Sequence, residues 1–253
     1  MTHLEPDDPP RPDCAWSFFL DIDGTLVELA RSPAAVRVSR DTQRQLRRLH
    51  VVTGGAMALI SGRALDDVDR LLPGLMTPAA GQHGLERRDG RGRVWRMGNR
   101  ETNHASVRAR LASFAEQHRP LMFEDKGLSF AIHFRAAPHL EPLVQRTLRA
   151  AQAELCAGYV IQPGKQVAEL RPPGPGKGDA IRSFMSEAPF RGRTPVYVGD
   201  DVTDEAGFAV VAESGGHSVK VGAGPTQARW RLRDSAAVLR WLAKVERGSP
   251  LGG

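Results

Sequence analysis

The sequence predicts an α/β protein: a Rossmann-like core on a parallel sheet, with a smaller α+β domain inserted into it. Three short apolar runs, Trp16–Leu20, Met57–Ile60 and Val196–Val198, show no alternation, and each ends on small or polar residues. Strands covered on both faces read this way. Segments with helical spacing follow them, as expected of a parallel sheet with crossover helices. Between about 101 and 172 the pattern changes. Leu128–Phe134 alternates strictly, with Leu128, Phe130, Ile132 and Phe134 on one face and Ser129, Ala131 and His133 on the other. That pattern predicts a half-buried strand with a wet face, typical of an antiparallel sheet.

The order of elements follows from local signals. Residues 1–14, rich in Pro and Asp, read as a disordered lead-in. The core is expected over 15–100 and again over 173–246, the inserted domain over 101–172, and a disordered tail over 247–253. Ser39 is placed to N-cap a helix to about His50, with Leu46 and Leu49 turned inward. Leu65, Val68, Leu71 and Leu72 predict a second helix that stops at Pro73-Gly74. Residues 85–100 read as a polar hairpin around Asp89-Gly90. In the insert, Val107, Leu111, Phe114 and Ala115 mark one helix over 104–118, and a second spans 140–156. Strands at Tyr159–Gln162 and Gln166–Leu170 are joined by a Pro163-Gly164 turn. Beyond the Pro/Gly hinge at 172–176 come a helix to about Glu187, the Val196–Val198 strand, a helix carrying Phe208 and Val211, a last strand at 217–221 and a helix from Ser235 to Val245.

Composition narrows the function classes. A chain of 253 residues, 41% hydrophobic and 25% charged, is ordinarily globular and has room for a core plus an insert. No apolar run approaches the roughly 20 residues that span a bilayer. The acidic, proline-rich start is not a secretory signal. The two cysteines, Cys14 and Cys156, lie far apart, so no disulfide is expected and a cytoplasmic location fits. The net charge of +6 is mostly arginine, scattered along the chain without a dense block. It matches no nucleic-acid module and equally suits an anionic small substrate.

The chemistry concentrates at strand ends. Asp21 and Asp23 close the first apolar run, before Gly24-Thr25. Asp-Gly alone is a common turn dipeptide, but that leaves Asp21, at the tip of a buried run, unexplained. Two close carboxylates repel unless a cation neutralises them. Asp oxygens are hard ligands, so the natural cation is Mg²⁺. A carboxylate can also act as a nucleophile and form an aspartyl-phosphate. Ser61 follows the second run just ahead of a helix, where it serves either as a phosphate ligand or as the helix cap; position alone does not separate the two. His83, between Gly81 and Gly84, implies a tight backbone. Gly199-Asp200-Asp201-Val202-Thr203-Asp204-Glu205 again puts acids at a strand tip. The helix dipole accounts for Asp204 and Glu205 better than for Asp200. Taken alone, Lys177 is a surface lysine.

Together, DIDGTL, ISGR, GKGDA and GDDVTDE resemble, in order, the four signatures of the haloacid dehalogenase-like (HAD) phosphatases. With AGQHG, EDKGLSFAIHFR and AELRP, the likeness over roughly 16–245 narrows to the trehalose-6-phosphate phosphatase family. The resemblance implies that Asp21 is the nucleophile, that Asp23 is the general acid and base, and that Ser61 and Lys177 hold the phosphoryl group. It implies Mg²⁺ on Asp21, Asp200 and the main-chain carbonyl of Asp23. It further implies trehalose 6-phosphate as substrate, with Glu124, Lys126 and Glu169 of an inserted cap facing the sugar; Arg63 and His83 are further binding candidates. His133 and Arg135 brace the cap. A monomer with no nucleic-acid or membrane partner is expected. The rivals are a related sugar phosphatase, such as one acting on sucrose 6-phosphate, a phosphosugar mutase, and a non-catalytic phosphosugar-binding protein. Residues 85–100 match no part of the pattern.

Overall fold

The unalternating apolar runs become the middle of a sheet. The computed structural model describes residues 8–30, 32–97, 103–155 and 158–246. In chain order the elements are β1 (Ser17–Leu20), α1 (Arg40–Val52), β2 (Met57–Ile60), α2 (Leu65–Leu71), β3 (Ala79–Gly81), β4 (Glu86–Arg88), β5 (Val94–Arg96), α3 (His104–Gln117), β6 (Met122–Asp125), β7 (Phe130–His133), α4 (Glu141–Glu154), β8 (Val160–Gly164), β9 (Val167–Arg171), α5 (Lys177–Met185), β10 (Pro195–Gly199), α6 (Glu205–Glu213), β11 (His217–Val221), β12 (Trp230–Leu232) and α7 (Ser235–Ala243).

The described residues form two compact units. The larger comprises the chain up to Leu29, Val36–Trp95 and the chain from Pro175 on; the smaller comprises Ala30–Ala35 and Arg96–Gly174. The smaller unit therefore starts ahead of residue 101, ends past 172, and takes in a stretch shortly after β1 that local patterning assigned to the core.

In the larger unit the strand order is β12-β11-β10-β1-β2-β3-β4-β5. Pairing is parallel from β12 to β3, and β4 runs antiparallel to β3. Phe19 sits opposite Tyr197 on one side and Ala58 on the other. Every residue of β1, β2 and β10 is buried, which is why these strands show no alternation. Phe19, Phe184, Phe190, Tyr197 and Phe208 fill the core on one face. Ser39 caps α1 by accepting the Thr42 amide at 3.1 Å, and Leu46 and Leu49 turn inward as their spacing predicts.

Several expectations are corrected. The strand at 217–221 is not the last, because β12 adds a parallel edge strand beyond it. Its three residues are too few for a periodic signal. Residues 8–14 are not loose. The Trp241 indole donates to the Pro10 carbonyl at 2.9 Å, and Arg193 donates to Cys14 O at 3.1 Å. These anchors lie far along the chain, out of sight of local composition. Residues 1–7, the tail 247–253, Cys156 and the last part of the 85–100 segment lie outside the described residues. The hairpin around Asp89 forms, with both Asp89 carboxylate oxygens taken up by Arg91 and Arg93. Its first strand is more than polar surface: Arg88 is buried and holds Asp69 through two 2.8 Å bonds.

In the smaller unit, α3 and α4 bury Val107, Leu111, Val144 and Leu148 against Phe130, Ile132 and Leu170 of an antiparallel sheet ordered β6-β7-β9-β8. Pro163 and Gly164 do not form the turn. They close β8, where an edge strand tolerates proline, and the chain reverses at Lys165-Gln166, with Gln166 at φ +62°. The opposite face of β7 is not wet, because Ser129 and Ala131 are fully buried. Alternation registered the polar side chains there but not the partners that satisfy them.

Candidate active site

Three adjacent parallel strands, β10, β1 and β2, deliver their C-terminal ends side by side, the edge at which open α/β sheets bind ligands. β1 ends in Asp21, whose amide continues the ladder by donating to Val198 O at 3.0 Å. The chain then turns through Gly24 at φ +83°. A Cβ there would lie 2.2 Å from an Asp200 carboxylate oxygen, so glycine both makes the turn and admits Asp200 beside it.

The acids converge on one lysine. Lys177, the first residue of α5, is 4% exposed and donates to Asp21 Oδ1 at 2.8 Å and to Asp204 Oδ1 at 2.5 Å. It is therefore no surface lysine. Asp204 is saturated: Oδ1 also accepts the Tyr197 hydroxyl, and Oδ2 accepts the amides of Asp200 and Asp201 at 2.9 Å each. Four donors use the four lone-pair sites of a carboxylate, so Asp204 orients its neighbours. Asp201 accepts the amide of Val202 at 2.8 Å and shapes the turn.

Burial and charge set the protonation states. Burial, with repulsion from Asp204 and Asp200, pushes the Asp21 carboxyl well above the usual range, and Lys177 offsets only part of this. For Lys177 burial works the other way, but the charges of Asp204 and Asp21 outweigh it and lift the ammonium above its ordinary value. Burial opposes ionisation of Asp204 as well; there Lys177 wins and the carboxyl is held low. Burial and the Asp204 charge keep Tyr197 a phenol.

Asp21, Asp200 and Asp204 each place a carboxylate oxygen within 4.8 Å of the others, and all three residues are buried. Hard oxygen donors in excess of the lysine charge fit a divalent cation such as Mg²⁺. With Asp204 already taken up by four donors, Asp21 and Asp200 are the better ligands of the three.

Asp23 is the most open of these acids, with 28% of its side chain exposed. Arg63 holds it bidentately, Nε to Oδ2 at 2.6 Å and Nη2 to Oδ1 at 2.7 Å. Arg63 thus faces the second aspartate of the motif. Ser61 is buried and does not cap α2. Its hydroxyl accepts the Arg63 amide at 3.1 Å. The residue before α2 is Ala64, and Glu86 of β4 reaches across to accept the Leu65 amide at 2.7 Å. That overturns the helix-cap alternative for Ser61. His83 sits at φ +60°, its amide donating to Ser61 O at 2.9 Å. Its ring packs so closely on Gly62 that a Cβ there would come within 2.8 Å.

In the smaller unit the register aligns Glu124, Ala131, Glu169 and Gln162 in one row across four strands. Glu124 pairs with His133 Nε2 at 2.7 Å. Lys126 donates to Glu169 Oε2 at 2.5 Å and Ser129 to Oε1 at 2.6 Å. Burial would raise the Glu124 carboxyl, but the His133 hydrogen bond and the Lys126 charge outweigh it and hold the group low. The three cap candidates are thus brought together within their own unit. Arg135 donates to Ala30 O at 2.8 Å and ties that unit's two segments together. Sequence reasoning passed over Tyr197 and Lys220; the available signal was a polar or charged side chain inside an otherwise apolar strand.

A family model described as trehalose-phosphatase matches residues 19–236. The Escherichia coli (strain K12) trehalose-6-phosphate phosphatase is 41% identical over 236 residues, covering 93% of this chain and 88% of that one. Among solved structures, the C-terminal domain of the C. albicans trehalose-6-phosphate phosphatase superposes with a TM-score of 0.73 at 21% identity, over 89% of this chain and 90% of that one. A haloacid dehalogenase-like hydrolase from B. subtilis does so at 0.61 and 14% identity, over 90% and 99%.

Proposed function

We infer the workings of the site from one premise: the chain belongs to the trehalose-phosphatase family, on the haloacid dehalogenase-like fold. It hydrolyses trehalose 6-phosphate to trehalose and phosphate. The observation that carries the mechanism is the buried cluster in which Lys177 bridges Asp21 and Asp204 beside Asp200.

An Asp21 carboxylate oxygen attacks phosphorus, and the bond from phosphorus to the sugar oxygen breaks. Asp23 gives its proton to that leaving oxygen. Asp23 then takes a proton from water, whose oxygen displaces the aspartate and releases phosphate. Ser61 and Lys177 hold phosphoryl oxygens, and Asp204 keeps Lys177 aimed. Arg63 fixes the direction of Asp23, and His83 braces the loop around Ser61. Mg²⁺, when bound by Asp21, Asp200 and the main-chain carbonyl of Asp23, supplies positive charge against the phosphoryl oxygens. Glu124, Lys126 and Glu169 recognise the disaccharide, whose hydroxyls need acceptors and donors of their type. A monomeric enzyme in the cytoplasm belongs to the same reading.

A panel of sugar phosphates with phosphate release measured in Mg²⁺ tests it. Trehalose 6-phosphate is expected to exceed sucrose 6-phosphate and glucose 6-phosphate by about 10²-fold in kcat/KM, the discrimination a set of buried polar contacts provides. Equal rates across the panel would overturn the substrate assignment.

A further inference from the structure

We infer that Lys220 is a positioning residue for Asp200, and through it for the divalent cation; this rests on the Mg²⁺ phosphatase reading above. Lys220 is the fourth residue of the buried strand β11 and is 4% exposed. The register sets it opposite Gly199, the residue before Asp200. Its ammonium donates to the main-chain carbonyl of Asp200. Burying an ammonium is costly, and a neutral carbonyl is a modest return for it. A purely structural role would be served by an apolar side chain, as at Val219 and Val221 of the same strand.

What the lysine adds becomes plain at Asp200. The Asp200 amide is fixed by Asp204 Oδ2 at 2.9 Å. The carboxylate lies against Gly24. The carbonyl is the remaining polar group of the residue, and Lys220 holds it. With amide and carbonyl both tied, the peptide planes flanking Asp200 have fixed orientations, and a carboxylate oxygen of Asp200 lies within 4.8 Å of one of Asp21. Without Lys220 the 200–201 peptide is held on one side alone, by the Asp201 amide on Asp204 Oδ2 at 2.9 Å, and the Asp200 oxygen is held less firmly in the cluster.

The test is an Mg²⁺ titration of the full chain by thermal shift, without substrate, beside kcat and KM measurements. Lys220→Met is expected to raise the Mg²⁺ midpoint about 10-fold. It leaves KM for trehalose 6-phosphate within about 2-fold, and saturating Mg²⁺ restores most of kcat. Lys220→Arg, which keeps a cationic donor, recovers part of the shift. Lys220→Gln, one bond shorter and uncharged, takes the place of the Met variant if that chain fails to fold, and its midpoint also rises. An unshifted midpoint in the Met or Gln variant, or an Arg variant shifted as far as Met, overturns the inference. A wild-type chain whose melting does not respond to Mg²⁺ overturns the cation reading itself, which separates the two failures.

Discussion

The larger and smaller units each bury a cluster of charged side chains, and the two clusters are balanced differently. In the larger unit Asp21, Asp200 and Asp204 gather at strand tips, and Lys177 bonds the carboxylates of Asp21 and Asp204. In the smaller unit each acid meets a nitrogen donor on the sheet: Glu169 accepts from Lys126, and Glu124 is hydrogen-bonded with His133 Nε2. The first cluster sets three buried carboxyl groups around Lys177, and a bound cation would favour their ionised forms. The second meets each carboxylate with a donor of its own. Chemistry that generates and moves charge suits the unbalanced cluster, and recognition of an uncharged sugar suits the balanced one.

The largest effect that would break this contrast is at Asp21, the proposed nucleophile. Asp21→Asn is expected to lower kcat by about 10⁴-fold or more, since it removes the attacking group and not merely binding energy. Phosphate release near the wild-type rate would remove Asp21 from its role. The next effect separates the two units. Glu124→Ala, and Glu169→Gln chosen to keep a carbonyl oxygen as acceptor for Lys126, should cost about 10²-fold in kcat/KM on trehalose 6-phosphate and under about 3-fold on a small aryl phosphate. Equal losses on both substrates would show that the smaller unit's cluster is structural.

The smallest effect is on stability against pH. Asp21 has a folded pKa above its unfolded value of 3.8. In EDTA, its contribution to stability is therefore fully present below that value and is lost as pH rises through the raised folded pKa. On the proposed reading Mg²⁺ takes the ionised carboxylate, so the gain in Tm from Mg²⁺ should be larger at pH 8 than at pH 5, by about 3 °C or more. Glu124 behaves oppositely. Its folded pKa lies below 4.5, so its contribution is present above that value and is lost as pH falls. The stability difference between Glu124→Gln and wild type should shrink on acidification and be indifferent to Mg²⁺. A Glu124 effect that tracked Mg²⁺ would erase the distinction between the clusters.

Much of the site was legible because its residues sit where short-range signals are strongest. Asp21 closes a buried run, Ser39 caps a helix, and Asp200 follows a strand glycine. What was illegible depends on partners far along the chain. Ser61 by position suits a helix cap and a phosphate ligand equally, and the residue that takes the helix amide is Glu86, 21 residues beyond it. Asp201 and Asp204 are the same residue type three positions apart, and only the long-range partners Lys177 and Tyr197 distinguish Asp204. Ser129 read as solvent-facing because alternation records polarity, while its bond to Glu169 lies 40 residues away.

The sequence by itself determined the α/β class, the strand tips at which the acids lie, and the presence of an inserted α+β segment. Burial on two faces, helix capping and turn formation leave their marks within a few residues of where they act. Only the tertiary structure decided how each carboxylate is used. Lys177 bridging Asp21 and Asp204, Arg63 gripping Asp23 and Lys220 holding the carbonyl of Asp200 are long-range pairings. A charged side chain in a sequence carries no record of the partner that neutralises it once water is excluded, and it is that partner which sets whether it attacks, donates or orients.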